Sequence, residues 1–509
     1  MNTIAAYLIG LEVRLVRIVT EVAPAYGRAT FELRGIPEKH VRERRIRVMS
    51  SLESVGAKLD HLSIIVCCMS DDGSEQIPID APLDFAIAMA VLGELGEVSA
   101  KYVDQCVFIG ELSLSGAIRP VRGLLPLVCH CVGQITKARI FVPSSQVQEA
   151  TCIIPYELKW FEDLESTVAF FKTGKFGSAY PSSVKNSPSK QDLDLFDVRG
   201  LHAAKRAMEI AAAGGHNLLF IGSPGTGKTM LARRFPTILP LLNREQGIES
   251  TSIHSIAGLL QPNGDLISVP PFRAPHHTVS TTGLIGGGDP VRPGEASLAH
   301  NGVLYLDELF EFRRTVLGSL KPVLESKKAE IVRSGIRYEY PADCIVIGSA
   351  NPCPCGFHGD RSKKCECGRN RIDTYAQRFR DPLYDHFSIR ARTSNAGVLE
   401  KPSCSSSEVQ DRVIKARNVQ KARCENLGID FVLNDRLSAK QLARVARVAR
   451  VAPLPEAAVR IIEDASARHD FSARDQESII KVARTIADLD QSESIEARHV
   501  SEAICLRVG

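Results

Sequence analysis

Apolar and polar positions alternate only in part along residues 4–22, where Glu12, Arg14 and Arg17 interrupt the apolar run. That pattern predicts a strand rather than a signal peptide, whose apolar region would be unbroken. Residues 217–221 (NLLFI), 303–306 (VLYL) and 344–349 (CIVIGS) are short apolar runs that read as further strands, and 230–239 reads as a helix. Residues 327–337 read as two short strands around a turn at Gly335. The longest apolar run, 85–92, is too short to span a bilayer. Beyond residue 407 the pattern becomes helical, with few strand-like runs. Its RVA copies at 444–452 are too few and too short for a solenoid. Polar, turn-rich intervals at 178–194 (SAYPSSVKNSPSKQDLD) and 400–407 (EKPSCSSS) punctuate the chain. They predict a multidomain α/β protein: an N-terminal domain over 1–177, a linker over 178–196, a central α/β domain over 197–400 and a helical domain over 401–509.

Length agrees, because 509 residues at roughly 150 per domain make about three domains. With 44% hydrophobic and 24% charged residues, the chain is neither disordered nor a membrane protein by composition. Sixty-three Lys+Arg against 59 Asp+Glu leave a net charge of +4, so any nucleic-acid surface must be local. Lys39, Arg42, Arg44, Arg45 and Arg47 form a basic run diluted by Glu38 and Glu43, a pattern that predicts a solvated helix face. Fourteen Cys in a long chain without an export signal predict buried thiols and local metal binding in a cytoplasmic protein, not a disulfide framework.

The strongest chemistry lies at 222–229: Gly222, Ser223, Pro224, Gly225, Thr226, Gly227, Lys228 and Thr229, between a strand and a helix. This is the G-x-x-x-x-G-K-T phosphate loop in its required context. Glycines let backbone N–H groups turn towards phosphates, and the helix N-terminus adds a favourable field. Lys228 is expected at the β/γ-phosphates and Thr229 at Mg²⁺. Asp307 and Glu308 end the strand at 303–306, which suits Asp307 to hold Mg²⁺ and Glu308 to polarise the attacking water. The pair of motifs predicts ATP hydrolysis. Asn351, ending the third strand, is suited to orient that water. Cys353, Cys355, Cys365 and Cys367 follow as two C-x-C pairs that could wrap one tetrahedral Zn²⁺ or remain reduced thiols in a loop.

The wording around these motifs closely resembles the bacterial ComM/YifB proteins, magnesium-chelatase-like AAA+ ATPases. The resemblance rests on 197–240 (DVRGLHAAKRAMEIAAAGGHNLLFIGSPGTGKTMLARRFPTILP), PFRAPHHT at 271–278, PGEASLAHNGVLYLDEL at 293–309, NPCPCG at 351–356 and IKVARTIADL at 480–489. It implies a central AAA+ P-loop domain with a C-terminal helical lid, a homo-hexameric ring, and ATP-driven DNA branch migration as incoming strands are integrated during natural transformation. It also implies that Asn351 is sensor 1 and that Arg474 is a sensor-2 arginine meeting the γ-phosphate across the domain junction. His276 and His277 fall after Arg273 in an implied insertion; adjacent side chains are expected to diverge, which favours a loop or DNA-facing role over a metal pair.

Where relatives read roughly GPLLDRID, with an arginine acting in trans, this chain has DPLYDHFSI at 381–389 and His386 at that position. An arginine finger is worth roughly 10³-fold or more in rate. Either Arg378, Arg380 or Arg390 substitutes, or hydrolysis is slow. Membership also favours the hairpin cations Lys327, Lys328, Arg333 and Arg337 as DNA contacts lining a ring pore. Residues 108–126 (FIGELSLSGAIRPVRGLLP) resemble the Lon peptidase domain, an S5 domain 2-like α+β fold. Residues 79–88 (IDAPLDFAIA) hold no Ser and the lysine region holds Leu124 and Leu125, so the Ser–Lys chemistry is missing and an inactive module is expected. Two other readings are a chelatase motor subunit and a non-hydrolysing scaffold.

Overall fold

The computed structural model of the chain describes residues 2–25, 29–71, 73, 77–104, 106–134, 139–151, 158–173, 193–260, 266–360, 363–380, 383–394, 404–447 and 455–508. Most of the predicted linker, the first residues of the predicted helical domain and the RVA copies from 448 onward lie outside the described residues.

The N-terminal alternation resolves into two strands rather than one. Gly10 adopts φ +66, and the chain reverses between Asn2–Ile9 and Glu12–Pro24, which pair antiparallel. Ala5, Tyr7 and Ile9 enter one core and Ala6 a second on the opposite face, so both faces are covered and polar alternation is weak. Seven strands follow the order Thr30–Arg34, Leu62–Ser70, Glu12–Pro24, Asn2–Ile9, Val107–Phe108, Ile140–Pro143 and Leu158–Phe161.

The helix Asp84–Glu94 is apolar all round and buried along nearly its whole length. Its Asp84 carboxylate, 0% exposed, meets Arg44 at 3.1 Å and Arg47 at 2.7 Å. The basic run on Glu38–Ser54 is therefore not a uniformly solvated face: Arg44 is 3% exposed, drawn in because an unpaired buried carboxylate is costly.

The central sheet runs Phe272–Arg273, Val303–Leu306, Ile345–Ala350, Leu218–Gly222, Ile389–Thr393, every neighbouring pair parallel. Ile345–Ala350 thus lies between the phosphate-loop strand and the acidic strand, and all their carboxyl ends open on one side, where ligands of such sheets gather.

The helices Ser406–Leu427, Glu456–His469, Ala473–Leu489 and Ala497–Val508 share most of their buried apolar side chains with the core of the central sheet. Val413, Ile479, Ile486 and Val500 pack in one cluster with Ala207, Phe220 and Ile347. Buried His216 adds a polar tie, with Nδ1 3.2 Å from Asp435 Oδ1 and Nε2 2.8 Å from Thr485 Oγ1. The N-terminal unit is docked as well. Leu11 N–H donates to the Glu339 carbonyl at 3.3 Å, and a Cβ on Gly10 would stand 2.4 Å from that oxygen. Among the described residues no helix is long and apolar enough to cross a membrane.

Candidate functional site

The strand Leu218–Gly222 delivers the loop and the helix Lys228–Arg234 leaves it. Two glycines are needed for backbone conformation: Gly225 at φ +81 and Gly227 at φ +88. Gly222 is needed for space, since a Cβ there would lie 2.2 Å from Thr393 Oγ1 and 2.4 Å from the Thr393 carbonyl oxygen. Thr226 Oγ1 closes the loop, donating to the Ser223 carbonyl at 2.8 Å and lying 2.7 Å from Thr393 Oγ1.

Lys228 Nζ donates to the carbonyls of Gly222 at 2.6 Å and Ser223 at 3.0 Å, and stands 3.3 Å from Asn351 Oδ1. Burial pushes its pKa down, while the nearby charges of Asp307 and Glu308 oppose that shift. Thr229 Oγ1 donates to Asp307 Oδ2 at 3.1 Å. Asp307 Oδ1 accepts from Tyr305 OH at 2.8 Å and Ser349 Oγ at 2.5 Å. Glu308, in the left-handed region at φ +52, has its N–H on Ser349 Oγ at 3.0 Å and an exposed carboxylate. Pro224 to Met230, Asp307, Glu308 and Ser349 to Asn351 line one cavity of about 410 Å³.

Sequence reasoning missed Tyr305, Ser349 and Thr393. Tyr305 carried a usable signal, because it stands two residues before Asp307 on one strand and so shares its face. Thr393 carried none, since only the sheet order sets it against the loop.

Arg474 and His386 do not line this cavity. Both approach Glu325 Oε1, His386 Nε2 at 3.7 Å and Arg474 at 3.6 Å. The His386 carbonyl accepts from Asn217 Nδ2 at 3.0 Å, and Asn217 precedes the strand whose far end is the phosphate loop. A five-residue strand separates the two ends by roughly 15 Å. Burial pushes the His386 pKa down, and the Arg474 charge adds to it. Of the substitute arginines, Arg390 is stacked on Tyr384 at 3.8 Å and burial lowers its pKa to about 10. Arg378 is exposed and donates to the Phe310 carbonyl at 2.7 Å, whereas the Arg380 side chain lies outside the described residues.

The hairpin Lys328–Arg333 with Ile336–Pro341 turns through Ser334 at φ +50 and Gly335 at φ +80, a primed two-residue turn. Lys328 pairs with Glu339 and Arg337 with Glu330 at 2.6 Å. Val332 near the tip is 72% exposed, as Arg333 is exposed, while Lys327 ends the preceding helix half-buried. His276 and His277 do not diverge: their rings lie 4.0 Å apart, because this segment is a loop without helical side-chain spacing. His277 Nδ1 stands 3.9 Å from Glu308 Oε2. Among the described residues the one cluster with metal-ligand spacing is Cys353, Cys355, Cys365 and Cys367, whose sulfurs all lie within 4.8 Å of one another.

Three family models match in succession: subunit ChlI of Mg-chelatase over residues 20–146, magnesium chelatase subunit ChlI over 194–400, and the ChlI C-terminal model over 403–507. Competence protein ComM of Haemophilus influenzae is 33% identical over 98% of this chain and 95% of its own. The uncharacterized protein YifB of Escherichia coli is 33% identical over 96% and 94%. The magnesium-chelatase 67 kDa subunit of Heliobacterium mobile is 27% identical over 33% of this chain and 29% of its own.

Proposed function

Because the chain belongs to the ComM/YifB family of magnesium-chelatase-like AAA+ proteins, we propose that it hydrolyses Mg²⁺-ATP as a ring motor on DNA. The observation that carries this reading is the convergence of Lys228, Thr229, Asp307, Glu308 and Asn351 on one cavity. Its donor set fits the nucleotide and its metal: a lysine held on loop carbonyls, and a hydroxyl already bonded to a carboxylate. Bound Mg²⁺, held by Thr229 and Asp307, supplies neutralisation of phosphate charge. The loop N–H groups and Lys228 bind the phosphates. Tyr305 and Ser349 aim Asp307 by donating to Oδ1. Glu308 takes a proton from the attacking water, which Asn351 orients.

Arg474 and His386, side by side at the end of the strands away from the loop, serve the neighbouring subunit's nucleotide in a homo-hexameric ring. His386 is shorter than an arginine, and the exposed Arg378 is the cation best able to supplement it. Arg333 and Arg337, with Lys327 and Lys328, contact DNA phosphates in the pore, where even partly paired cations are multiplied by the ring. The N-terminal unit is an inactive Lon-like module: Asp84 in its former nucleophile region is consumed by Arg44 and Arg47, and Leu124 and Leu125 are buried. A structural Zn²⁺ on the cysteine tetrad completes the cofactor set. The activity fits branch migration and strand integration during natural transformation, in the cytoplasm.

A chelatase motor is the second reading, favoured by the three chelatase family models, but the likeness to ComM spans the chain and that to a chelatase subunit only a third of it. ATPase assays with and without single-stranded and forked DNA, beside molecular mass in ATP, separate them. DNA-stimulated turnover by a hexamer is expected; turnover indifferent to DNA would overturn the DNA reading.

A further inference from the structure

Cys353 and Cys355 leave the central strand just beyond Asn351, and Cys365 and Cys367 return to the same point. The Sγ separations are 3.4 Å for Cys353 and Cys355, 3.7 Å for Cys353 and Cys365, and 3.5 Å for Cys355 and Cys365. Four thiolates at about 2.3 Å from one tetrahedral Zn²⁺ stand roughly 3.8 Å apart, so the cluster has close to the dimensions of that polyhedron. The His358 backbone N–H also donates to Cys353 Sγ at 3.3 Å. Such a donor stabilises thiolate charge and fixes ligand orientation.

The same turn touches the nucleotide loop. Gly356, next to Cys355 and at φ +85, approaches so closely that a Cβ would lie 2.6 Å from Pro224 Cδ and 3.7 Å from Asn351 Cγ. Asn351 in turn lies 3.3 Å from Lys228 Nζ.

We propose that the four cysteines hold one Zn²⁺ and that this metal knuckle braces the hydrolytic site, fixing Asn351 and the 223–227 loop relative to each other. The four cysteines and Gly356 are positioning residues, and the proposal rests on the ATPase reading given above. Zinc ties together two chain segments ten residues apart, and so holds the Gly356 turn against Pro224. Loss of the metal frees that turn and with it the water-orienting amide, whereas the phosphate-binding groups remain on their own strand and helix. Turnover should therefore suffer more than nucleotide affinity.

The test uses the full chain purified without a metal-affinity tag, and reads zinc by elemental analysis, ATP affinity with a fluorescent nucleotide, and steady-state kcat and KM. The wild-type chain should carry about one zinc; less than about half an equivalent would overturn the metal site. Cys365→Ser should lose the metal and lower kcat by about 10–100-fold with ATP affinity within a few-fold. Gly356→Ala keeps all four ligands, so it should retain zinc and fold while losing kcat to a similar degree. A Gly356→Ala chain with wild-type kcat, or a zinc-free chain with wild-type kcat, would overturn the brace. A wild-type chain with zinc but no ATP hydrolysis would sink the ATPase reading and leave the metal site standing on its stoichiometry.

Discussion

Asp488 anchors the C-terminal helix Ala473–Leu489 that carries Arg474, and its removal offers a quantitative test of the shared core. The carboxylate is 0% exposed and accepts from Arg423 Nη1 at 2.8 Å and Nη2 at 2.8 Å, Arg484 Nε at 3.0 Å and Asn434 Nδ2 at 2.8 Å. Burial pushes the Arg484 pKa down and the Asp488 charge pushes it back. In Asp488→Ala two largely buried guanidinium groups lose their shared anion. Breaking a buried pair this way costs about 3–5 kcal/mol. At roughly 2–4 °C per kcal/mol for a unit of this size, the melting temperature should fall by about 6–20 °C. Differential scanning fluorimetry measures the shift directly. Replacing Asp488, Arg423 and Arg484 together by apolar residues of similar volume should recover much of the loss, because no charge is then stranded. A melting temperature for Asp488→Ala within 1–2 °C of wild type would refute the reasoning, since about 0.5 kcal/mol is the scale of a surface site.

Three further outcomes follow from the geometry. Tyr305→Phe and Ser349→Ala each remove a donor to Asp307; hydrogen bonds to charged groups are worth about 1.5–3 kcal/mol, so kcat should fall by about 10–100-fold and half-maximal Mg²⁺ should rise, and an unchanged Mg²⁺ titration would count against the assigned role. Gly222→Ala should destabilise by about 1–3 kcal/mol, and Thr393→Ala should not fully rescue it, because the Thr393 carbonyl is still 2.4 Å away; full recovery in thermal melts would show that only the side chain mattered. Burial lowers the pKa values of His254, His386 and His499. Unfolded histidines titrate near about 6.5, so between that value and the lower folded ones the unfolded chain binds more protons. Stability should therefore fall as pH drops below about 6.5; melting temperatures that hold or rise from pH 7 to 5.5 would contradict this.

The loop at 222–229 was legible because its pattern is local: eight consecutive residues between a strand and a helix. So was the hairpin, where Gly335 marks the turn. Arg42 and Arg45 are solvated as the pattern predicts, but Arg44 and Arg47 turn inward, because their partner Asp84 lies about forty residues away, beyond any pattern along one helix. The apolar positions of the C-terminal helices were legible, but not that Ile479 and Val500 cover the same core as Phe220. Arg474 and His386 illustrate the same limit: motif position identifies them, whereas only the parallel sheet sets them at the end away from the loop. Ser349 looks like an ordinary strand residue until the sheet sets its hydroxyl against Asp307.

The central claim is that one cavity binds ATP through Lys228 and hydrolyses it through Glu308. Nucleotide titration and phosphate release, measured together on wild type, Lys228→Ala and Glu308→Gln, test it most directly. Wild type should bind and hydrolyse, Glu308→Gln should bind with little turnover, and Lys228→Ala should do neither. Undiminished nucleotide affinity in Lys228→Ala, or wild-type turnover in Glu308→Gln, would contradict the account.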